Sequence, residues 1–595
     1  MEPQFELAVR FDDRHLPRRV RQRLCGRYPG RGEQAGDRPD HRTPLESSTG
    51  SAAGGPVLQT SGAAIRTGAI GGLRFPATRR RWSGRTSLAR QRSGRASTVN
   101  TQWDVIVVGG GGSGLAAAVR AAEQGCRVLL LEKCAQLGGT TGIAVGSYTA
   151  NRTVHQRRAG IEDDAHRHEA DAGQFGPTEI QARNNGALRL FFLEQAAETL
   201  DWLMGMGLRF HGPSPEPPNR VPRMHNVVPN AKAYIAVLQS RLLRLGGTVV
   251  CQAQVTGLTW TTDAATRRVS GVVAQVAGQG SVAFSTRLGA VLAAGDYANS
   301  TALIARYKGQ PFAKIEGINP HSTGDGHQIA EQAGGQLVNM DVTYGPELRF
   351  IPPPRKPFSQ LLPGSGPVAW LMGRLLPLVP QAVIHRMIKR LLVTWQHPED
   401  ALFDDGAILV NQRGQRFCRE CESPAREIAI AEQPEKWAYL VLDGALIQRY
   451  RRWPHFISTA PEIAYAYVDD YRRLRPDITV MADQLDPLAK QRGLPAETLR
   501  TTVAASPSMN GGPWVLLGPV KAYFTTTEGG VQVDTSLRVL DAARHAIPGL
   551  YAVGQNGLSG MVLWGHGLHI AWAITSGRLA GQTIAQSRDD GSQLP

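Results

Sequence analysis

One stretch of this chain limits its possible folds more than any other. Residues 104–108 (DVIVV) form a β-branched run typical of a buried strand, and glycines follow at positions 109, 111 and 114. A small-residue helix pattern comes next, and then a second strand pattern that ends at Glu132. In this arrangement the first glycine permits a tight turn, the second lets the backbone approach a pyrophosphate, and the third lets the helix pack closely on the sheet. The sequence therefore predicts a Rossmann-like α/β domain that binds a dinucleotide, with Glu132 accepting hydrogen bonds from the ribose.

Five further blocks follow in order along the chain. They are LGGTT at 137–141, AAG at 293–295, TGDG at 323–326, GAILVNQRGQRF at 406–417, and a C-terminal block made of IPGLYAVGQ and GLHIAWAITSGRLAG. Together they resemble the flavoprotein superfamily of fumarate reductase, succinate dehydrogenase and 3-ketosteroid dehydrogenase, over about residues 103–350 and 405–590. The resemblance implies that the dinucleotide is FAD, because the glycine motif alone does not separate FAD from NAD.

The resemblance also implies which residues hold the FAD. Residues 138–147 contain no histidine to which a flavin could be attached, so we expect non-covalent binding. One dinucleotide fingerprint is present, so we expect no NAD(P)H site and a separate electron donor or acceptor. The predicted cofactor contacts are Gly109, Gly111, Gly112, Gly114, Glu132, Lys133, Gly138, Gly139, Thr140, Thr141, Val255, Ala294, Gly295, Asp325, Gly554, Gln555, Leu568 and Ile570.

The same resemblance implies the domain plan. We expect an FAD-binding domain of the glutathione-reductase type that is split in sequence, over residues 101–335 and 510–590. An α+β cap domain, residues 336–509, is expected between the two parts and contributes to the substrate site.

Charge is distributed very unevenly along the 595 residues. Residues 1–100 contain 19 Arg, no Lys and 8 Asp+Glu, a net of +11 out of the total of +16. This segment has no sustained hydrophobic period, which predicts disorder. An alternative is that it is an upstream stretch and that the protein starts near Val99. The remaining net charge of +5 gives the folded part no general affinity for nucleic acid.

The interval 352–402 interrupts the superfamily pattern with an apolar stretch that contains Arg374, Arg386, Lys389 and Arg390. It predicts either short cap helices with a solvated face or an amphipathic element on a membrane surface. No run of 18 apolar residues occurs, so we expect no transmembrane helix and a cytoplasmic protein, with peripheral contact to the inner membrane surface as the alternative. Cys418-x-x-Cys421 has no second pair, so no metal site is predicted.

Enzymes of this superfamily move a hydride between flavin N5 and the carbon β to a carbonyl, while a side chain transfers a proton and a donor holds the carbonyl oxygen. Fumarate reductases grip carboxylates with an arginine, whose place is taken here by Trp564, and with a histidine that residues 525–530 (TTTEGG) lack. These losses argue against a dicarboxylate substrate, because a small dianion needs several matched donors.

In 3-ketosteroid dehydrogenases a tyrosine hydroxyl and a glycine N–H polarise the ketone at a turn before the flavin-facing helix. The matching turn, residues 563–567 (LWGHG), keeps Gly567 and has Leu563 instead of the tyrosine. Gly567 N–H is therefore a candidate oxyanion donor, and His566 or His569 is a candidate substitute for the missing hydroxyl.

The proton-transferring group is less clearly indicated. Tyr148, Tyr344 and Tyr523 are candidate bases. In the superfamily a proton-donating arginine follows an RF-x-x-E pattern, and here Arg426 follows the matching block two positions later, so it is a candidate acid. The apolar residues near the turn favour a bulky apolar ketone or a steroid-like substrate; they are Leu558, Met561, Leu563, Trp564 and Leu568. The alternatives are a fumarate-like reductase of a small carboxylate and a flavoprotein without catalytic activity.

Overall fold

The computed structural model describes residues 102–263, 266–354, 362–375, 397–460 and 464–590, together with residues 379–380, 386, 388–390 and 392–394. The Arg-rich segment 1–100, for which the sequence predicts disorder or an upstream origin, lies outside the described residues. Parts of the apolar stretch between 376 and 396 also lie outside them.

The described strands form two larger sheets and four small ones. In chain order the strands are β1 Gln102–Val108, β2 Val128–Glu132, β3 Ser147–Thr149, β4 Arg209–Ser214, β5 Met224–Val228, β6 Thr248–Cys251, β7 Ala253–Asp263, β8 Thr266–Val276, β9 Gly280–Leu292, β10 Glu316–Gly317, β11 Leu337–Val338, β12 Thr343–Tyr344, β13 Glu347–Phe350, β14 Ile408–Val410, β15 Trp437–Leu442, β16 Ser458–Ala460, β17 Ala464–Ala466, β18 Thr479–Ala482, β19 Trp514–Phe524, β20 Thr526–Thr527, β21 Gly530–Val531, β22 Arg538–Leu540 and β23 Ala546–Ala552.

The described α-helices lie mostly between these strands. In chain order they are α1 Gly112–Glu123, α2 Gly139–Ile143, α3 Val154–Arg158, α4 Ala165–Ala172, α5 Thr178–Gln181, α6 Gly186–Gly205, α7 Lys232–Arg244, α8 Thr301–Tyr307, α9 Asp325–Gln332, α10 Pro367–Leu375, α11 Ala401–Asp404, α12 Ala425–Ala431, α13 Gly444–Arg449, α14 Val468–Leu474, α15 Leu485–Arg492, α16 Ala496–Ala504 and α17 Leu568–Asp590.

The first large sheet has the strand order β22-β23-β9-β1-β2-β6, with β7 and β8 continuing from β9 as an antiparallel hairpin. Strand β1 pairs in parallel with β2 and β9, and β2 pairs in parallel with β6. Residues 105–108 of β1 are at most 6% exposed, because both faces of a parallel sheet are covered. The strand–glycine–helix–strand unit predicted from residues 104–132 therefore lies at the centre of this sheet.

Helix α17 packs along α1 through small residues. A Cβ at Gly577 would lie 2.2 Å from Ser113 O, and one at Gly581 would lie 2.4 Å from Ala117 O. Both positions therefore exclude larger side chains, and the close approach packs the middle of α17 against the first half of α1.

The second large sheet has the order β10-β19-β15-β14, and β13 and β18 also pair with β19. Strand β19 is its central strand. After β19 (Trp514–Phe524), the next strand of the first sheet is β22, which begins at Arg538, and the domain boundary between 509 and 510 stays a prediction. The sheet contains both β10 from before the predicted cap and β19 from after it, which ties the two ends of the cap together.

Helix α10 covers part of the interval that interrupts the superfamily pattern. Its apolar side chains Val368, Leu371 and Leu375 are 46–54% exposed. None of the described helices is both long enough and apolar enough to cross a membrane. The choice between a cap element and a membrane-surface element stays a prediction.

Candidate active site

A cavity of about 680 Å³ follows the glycine-rich turn and the carboxyl ends of the central strands. Most of the predicted cofactor contacts line it, and they come from segments that are distant in sequence. These lining residues are Gly109, Gly111, Gly112, Glu132, Lys133, Gly138, Gly139, Thr140, Thr141, Val255, Ala294, Gly295, Asp325 and Gln555. The ligand contacts themselves remain proposals.

The three motif glycines have three different environments. Gly109 has φ +110°, a backbone conformation that favours glycine at the turn. A Cβ on Gly114 would lie 2.0 Å from Gly109 O, so this glycine is required for packing of α1 on the turn. A Cβ on Gly111 would meet no atom closer than 3.9 Å, so the Gly111 backbone faces open space where a pyrophosphate can approach.

Polar groups around the cavity fit a dinucleotide. The buried Glu132 carboxylate accepts hydrogen bonds from the N–H groups of Gly110 and Cys134, which holds it at the end of β2 with lone pairs left for ribose hydroxyls. Gln555 Oε1 is buried without a hydrogen-bond partner among the described residues, although its Nε2 donates to Thr526. A ribityl or ribose hydroxyl would satisfy this oxygen.

Four predicted contacts lie outside the lining of the cavity. Gly114 packs against the turn, Leu568 is buried in the hydrophobic core, and Gly554 N–H donates to Ser576 Oγ. Ile570 packs against the same core. These four residues are small or apolar because they pack against other parts of the protein.

The turn before α17 brings the two predicted histidines next to two glutamates. His566 Nδ1 lies 2.5 Å from Glu216 Oε1, which also accepts the His566 backbone N–H at 2.7 Å. The His566 side chain is 60% exposed, whereas Glu216 is 9% exposed. Desolvation lowers the pKa of His566, but the hydrogen bond and charge of Glu216 outweigh it and raise the pKa above its usual value.

His569, one turn further along the chain, makes a second pair of this kind. His569 Nε2 lies 2.7 Å from Glu528 Oε1, and Glu528 Oε2 accepts the backbone N–H of Leu563. Glu528 is fully buried, and it comes from the TTTEGG segment at which the fumarate reductases have their histidine. Each of the two histidines is therefore oriented by a carboxylate from a different segment.

Gly567 lies between the two pairs and has φ +84°. A Cβ there would lie 2.9 Å from Ser147 C and from Thr149 Oγ1, so the turn is pressed against β3. Thr149 Oγ1 also donates to His566 O at 2.6 Å. Among the described residues none accepts a hydrogen bond from Gly567 N–H, so this group remains available as the predicted oxyanion donor.

Tyr344 and Trp564 form an aromatic pair beside His566, with ring centroids 5.7 Å apart. None of the described residues forms a hydrogen bond with the Tyr344 hydroxyl. Burial and then the charge of Glu347 raise the pKa of Tyr344, so its hydroxyl stays protonated. The geometry therefore favours Tyr344 as a hydrogen-bond donor and not as the predicted base.

Glu347 and Arg349 complete this cluster from β13. Arg349 Nη2 donates to Glu347 Oε2 at 2.8 Å and to Thr525 Oγ1 at 3.2 Å. The charges of Glu347 and Arg349 both act on the pKa of His566. We call the set Glu216, Tyr344, Glu347, Arg349, Trp564 and His566 the turn cluster.

Two predicted catalytic residues lie elsewhere. Tyr148 is fully buried, and its hydroxyl donates to Ala196 O at 2.9 Å and lies 3.1 Å from Thr575 Oγ1. Burial raises the pKa of Tyr148, which is the wrong direction for a base. Tyr148 is thus placed as a core residue, and we do not propose a catalytic role for it.

Arg426 lies in the cap at the start of α12. Its guanidinium donates to Glu427 and Asp400 and to Glu420 O. Burial lowers the pKa of Arg426, but Glu427 and Asp400 outweigh this and raise it, which opposes proton donation. Arg426 and the turn cluster share no hydrogen bond or ion pair among the described residues, so the structure gives Arg426 a role within the cap.

The apolar pocket expected from five residues is corrected in part. Leu558, Met561, Leu563 and Leu568 are at most 1% exposed and belong to the hydrophobic core. Only Trp564 of this group reaches the turn cluster. Sequence reasoning missed the glutamates: Glu216 follows no motif, whereas the acidic residue in TTTEGG was a signal for Glu528.

Residues 104–358 and 375–565 match the model of the FAD binding domain family. The chain is similar to a fumarate reductase (cytochrome) of Shewanella frigidimarina, with 26% identity over 528 residues that cover 84% of this chain and 80% of that protein. A solved structure of a flavocytochrome c3 fumarate reductase in its open conformation aligns with a TM-score of 0.60 and 22% identity, over 82% of this chain and 78% of that one.

A second solved structure, the 3-ketosteroid delta1-dehydrogenase of Sterolibacterium denitrificans with 1,4-androstadiene-3,17-dione, aligns with a TM-score of 0.55 and 20% identity, over 82% of this chain and 100% of that one. Both structural likenesses concern the fold. They confirm the predicted class, an α/β FAD-binding domain split in sequence by an inserted segment.

Proposed function

The chain belongs to the FAD binding domain family and is an FAD-dependent oxidoreductase of CH–CH groups, and from this premise we propose that its substrate is a neutral, apolar ketone or enone of steroid-like bulk. In the proposed reaction a hydride adds to, or leaves, the carbon β to the carbonyl. When bound, FAD supplies the hydride donor or acceptor. The earlier hypothesis of a flavoprotein without catalytic activity is not kept.

The observation that carries the proposal is the state and position of His566. Glu216 favours its protonated form, and Nε2 has no hydrogen-bond partner among the described residues. An exposed imidazolium N–H can donate to a carbonyl oxygen, where negative charge develops as hydride adds to the β carbon. The free hydroxyl of Tyr344 and the N–H of Gly567 are the proposed additional donors.

The proton balance of the reductive direction follows from the same pair. His566 Nε2 transfers its proton to the enolate oxygen, which gives the enol. The enol becomes the saturated ketone by losing its O–H proton to solvent and gaining a proton from solvent at the α carbon. His566 then keeps its Nδ1–H, which remains bonded to Glu216. A proton from solvent restores the imidazolium, because the side chain is 60% exposed. Desaturation is the reverse sequence.

The charges of the turn cluster support a neutral substrate. Glu216 and Glu347 are negative, and Arg349 and protonated His566 are positive, so the four charges cancel. Arg349 is already engaged by Glu347 and Thr525. A dianion placed here would meet two carboxylates as well as two cations, so the cluster gives it no net Coulomb attraction to offset the loss of its hydration. Trp564, in place of the expected arginine, adds apolar surface.

The second candidate is a reductase of a small carboxylate. The similarity to a fumarate reductase over 84% of the chain favours it. In that case Arg349 and His566 would have to grip the carboxylate despite Glu216 and Glu347. A separate electron carrier, a cytoplasmic location and peripheral membrane contact also remain proposals.

Stopped-flow mixing of anaerobically reduced enzyme separates the two candidates. We expect a 3-ketosteroid enone to reoxidise the flavin, and we expect fumarate not to do so. The variant H566A should slow reoxidation by about 100-fold, because a positioned acid typically contributes that much. The variant H545A removes a histidine that is 81% exposed and should leave the rate unchanged. Fast reoxidation by fumarate, with none by enones, would reject the neutral-ketone proposal.

A further inference from the structure

Glu216 lies on the loop between β4 and β5, and in the sequence it lies outside every motif of the cofactor site. Its carboxylate is 9% exposed, and a single oxygen, Oε1, receives both the backbone N–H and Nδ1 of His566. Because this carboxylate accepts hydrogen bonds from both the ring and the backbone of His566, it restricts both the ring rotamer and the backbone conformation.

A second layer holds Glu216 itself. Asn219 Nδ2 approaches Glu216 Oε2 at 3.5 Å, and Asn219 N–H donates to Glu216 O at 2.9 Å. Asn219 Oδ1 in turn accepts from Arg223 Nη1 at 2.9 Å. Arg223 is fully buried between two aspartates, Asp163 and Asp171. The loop that carries Glu216 is therefore anchored by a buried ion-pair network, which preorganises the carboxylate.

The choice of ring nitrogen decides the chemistry. Glu216 takes Nδ1, so the neutral ring that it favours carries its proton on Nδ1 and has a bare Nε2. The protonated ring carries N–H on both nitrogens, and its Nε2–H points away from Glu216. A single partner thus supports both states that a proton-transferring histidine must visit.

We propose that Glu216 is a positioning residue that fixes His566 through Nδ1, so that Nε2 alone exchanges the proton with the substrate. This role rests on the proposed function of His566 as the proton donor. In this role Glu216 contacts His566 and not the substrate. It acts by stabilising the imidazolium and by selecting the tautomer left after proton transfer.

The other charged and titratable groups that face His566 belong to β12 and β13. Glu347 raises the pKa of His566 and Arg349 lowers it, and the Tyr344 hydroxyl stays protonated. Glu347 and Arg349 form a hydrogen-bonded ion pair, and their effects on the pKa of His566 oppose each other. Glu216 is left as the group whose charge sets the protonation of His566.

The test compares E216Q with the wild type by NMR titration of the His566 ring in the FAD-loaded protein without substrate. Glutamine can still accept both hydrogen bonds but has no charge, so it isolates the charge from the contact. We expect His566 to bind its proton about tenfold more weakly in E216Q than in the wild type. The control E179Q changes an exposed glutamate on α5 and should leave the titration unchanged.

The second measurement is the pH dependence of flavin reoxidation by the enone. In the wild type the rate should fall as the pH rises through the raised pKa of His566, and in E216Q the fall should begin at a lower pH. Identical His566 titrations in wild type and E216Q would overturn the positioning role. Because the titration needs no substrate, a shift in E216Q with no enone turnover would reject the proposed function alone.

Discussion

Substitution by alanine should have different effects at two glycines of the dinucleotide motif, weakening FAD binding at one and lowering protein stability at the other. Gly111 has ordinary φ and ψ angles of −79° and −171°, and its added Cβ would meet no atom within 3.9 Å. Gly114 would place its Cβ 2.0 Å from Gly109 O, well inside the normal contact distance. Gly111→Ala should therefore affect the ligand, whereas Gly114→Ala should affect the protein.

The magnitudes follow from these contacts. Relieving the Gly114 overlap needs a shift of more than about 1 Å between α1 and the turn, and overpacking of this kind costs about 1–3 kcal/mol. The Tm of the apoprotein should then fall by about 1–3 °C, because the unfolding entropy of a folded part of this size is about 1 kcal/mol per kelvin. Gly111→Ala should leave that Tm within about 1 °C of the wild type. Its methyl group enters the space facing the pyrophosphate, and we expect the FAD Kd to rise at least about tenfold, or about 1.4 kcal/mol.

The assays are thermal unfolding of the apoprotein and fluorescence titration with FAD. Gly205→Ala is the matched control, because a Cβ on Gly205 meets nothing within 4 Å and the residue lies at the end of α6, away from the cavity. It should leave the Kd unchanged. A wild-type Kd for Gly111→Ala, or an apoprotein destabilised as much as by Gly114→Ala, would refute the reasoning that the Gly111 backbone faces the cofactor.

Three other substitutions test the remaining placements. Tyr148→Phe should cost about 1 kcal/mol of unfolding free energy through its lost hydrogen bonds, with flavin reoxidation within about twofold of wild type; a large rate loss would restore Tyr148 as a catalytic candidate. Arg426→Met leaves the buried Glu427 carboxylate unpaired and should cost about 3 kcal/mol in urea unfolding, which a purely catalytic role would not produce. Burial raises the pKa of Asp171, but the hydrogen bond from Arg223 outweighs it and holds that pKa below its usual range. The stability that this pair adds is therefore complete above about pH 4 and is lost as the pH falls below that value. Arg223→Met should flatten this acid dependence of the unfolding free energy, measured by urea titrations at pH 3 to 7.

The cofactor half of the site could be predicted from sequence because its chemistry is local. The turn at Gly109–Gly114, the strand after it and Glu132 lie within one short segment, and Gly109 and Gly114 have backbone or packing reasons to be glycine that a pattern can reveal. The later blocks, such as residues 293–295, meet the same cavity because the carboxyl ends of parallel strands share one edge of a sheet.

The catalytic half could be predicted only in part, because its partners come from distant segments. The resemblance to the ketosteroid dehydrogenase pattern predicts the turn itself, with His566, Gly567 and His569 as candidates. Glu216 is 350 residues from His566, and its proline-rich loop has no periodic or motif signal. Tyr148 shows the opposite error, because a tyrosine near a flavin motif has the same sequence context whether its hydroxyl faces the substrate or the core.

The two glutamates of the site each bind a ring and a backbone N–H of the same turn. Glu216 holds the ring and N–H of His566, and Glu528 holds the ring of His569 and the N–H of Leu563. Reorienting either imidazole would break a hydrogen bond to a carboxylate that also binds the backbone near Gly567. The donors are therefore fixed as one unit before a substrate arrives, which is the condition under which hydrogen bonds lower a barrier most.

Under the proposed function, this coupling lets the site stabilise developing negative charge without the arginine that the resemblance to fumarate reductases places at position 564. A guanidinium at position 564 would bring a permanent positive charge that suits a carboxylate. The Trp564 ring brings none, and the positive charge comes instead from His566, whose proton Glu216 retains. Protonated His566 loses its positive charge when it gives up its proton. Such a charge suits an enolate, which exists only during the reaction. It suits a carboxylate less well, because a carboxylate is charged before and after the reaction. The exchange of a fixed cation for a carboxylate-held histidine is thus consistent with a neutral ketone and unfavourable for a dianion.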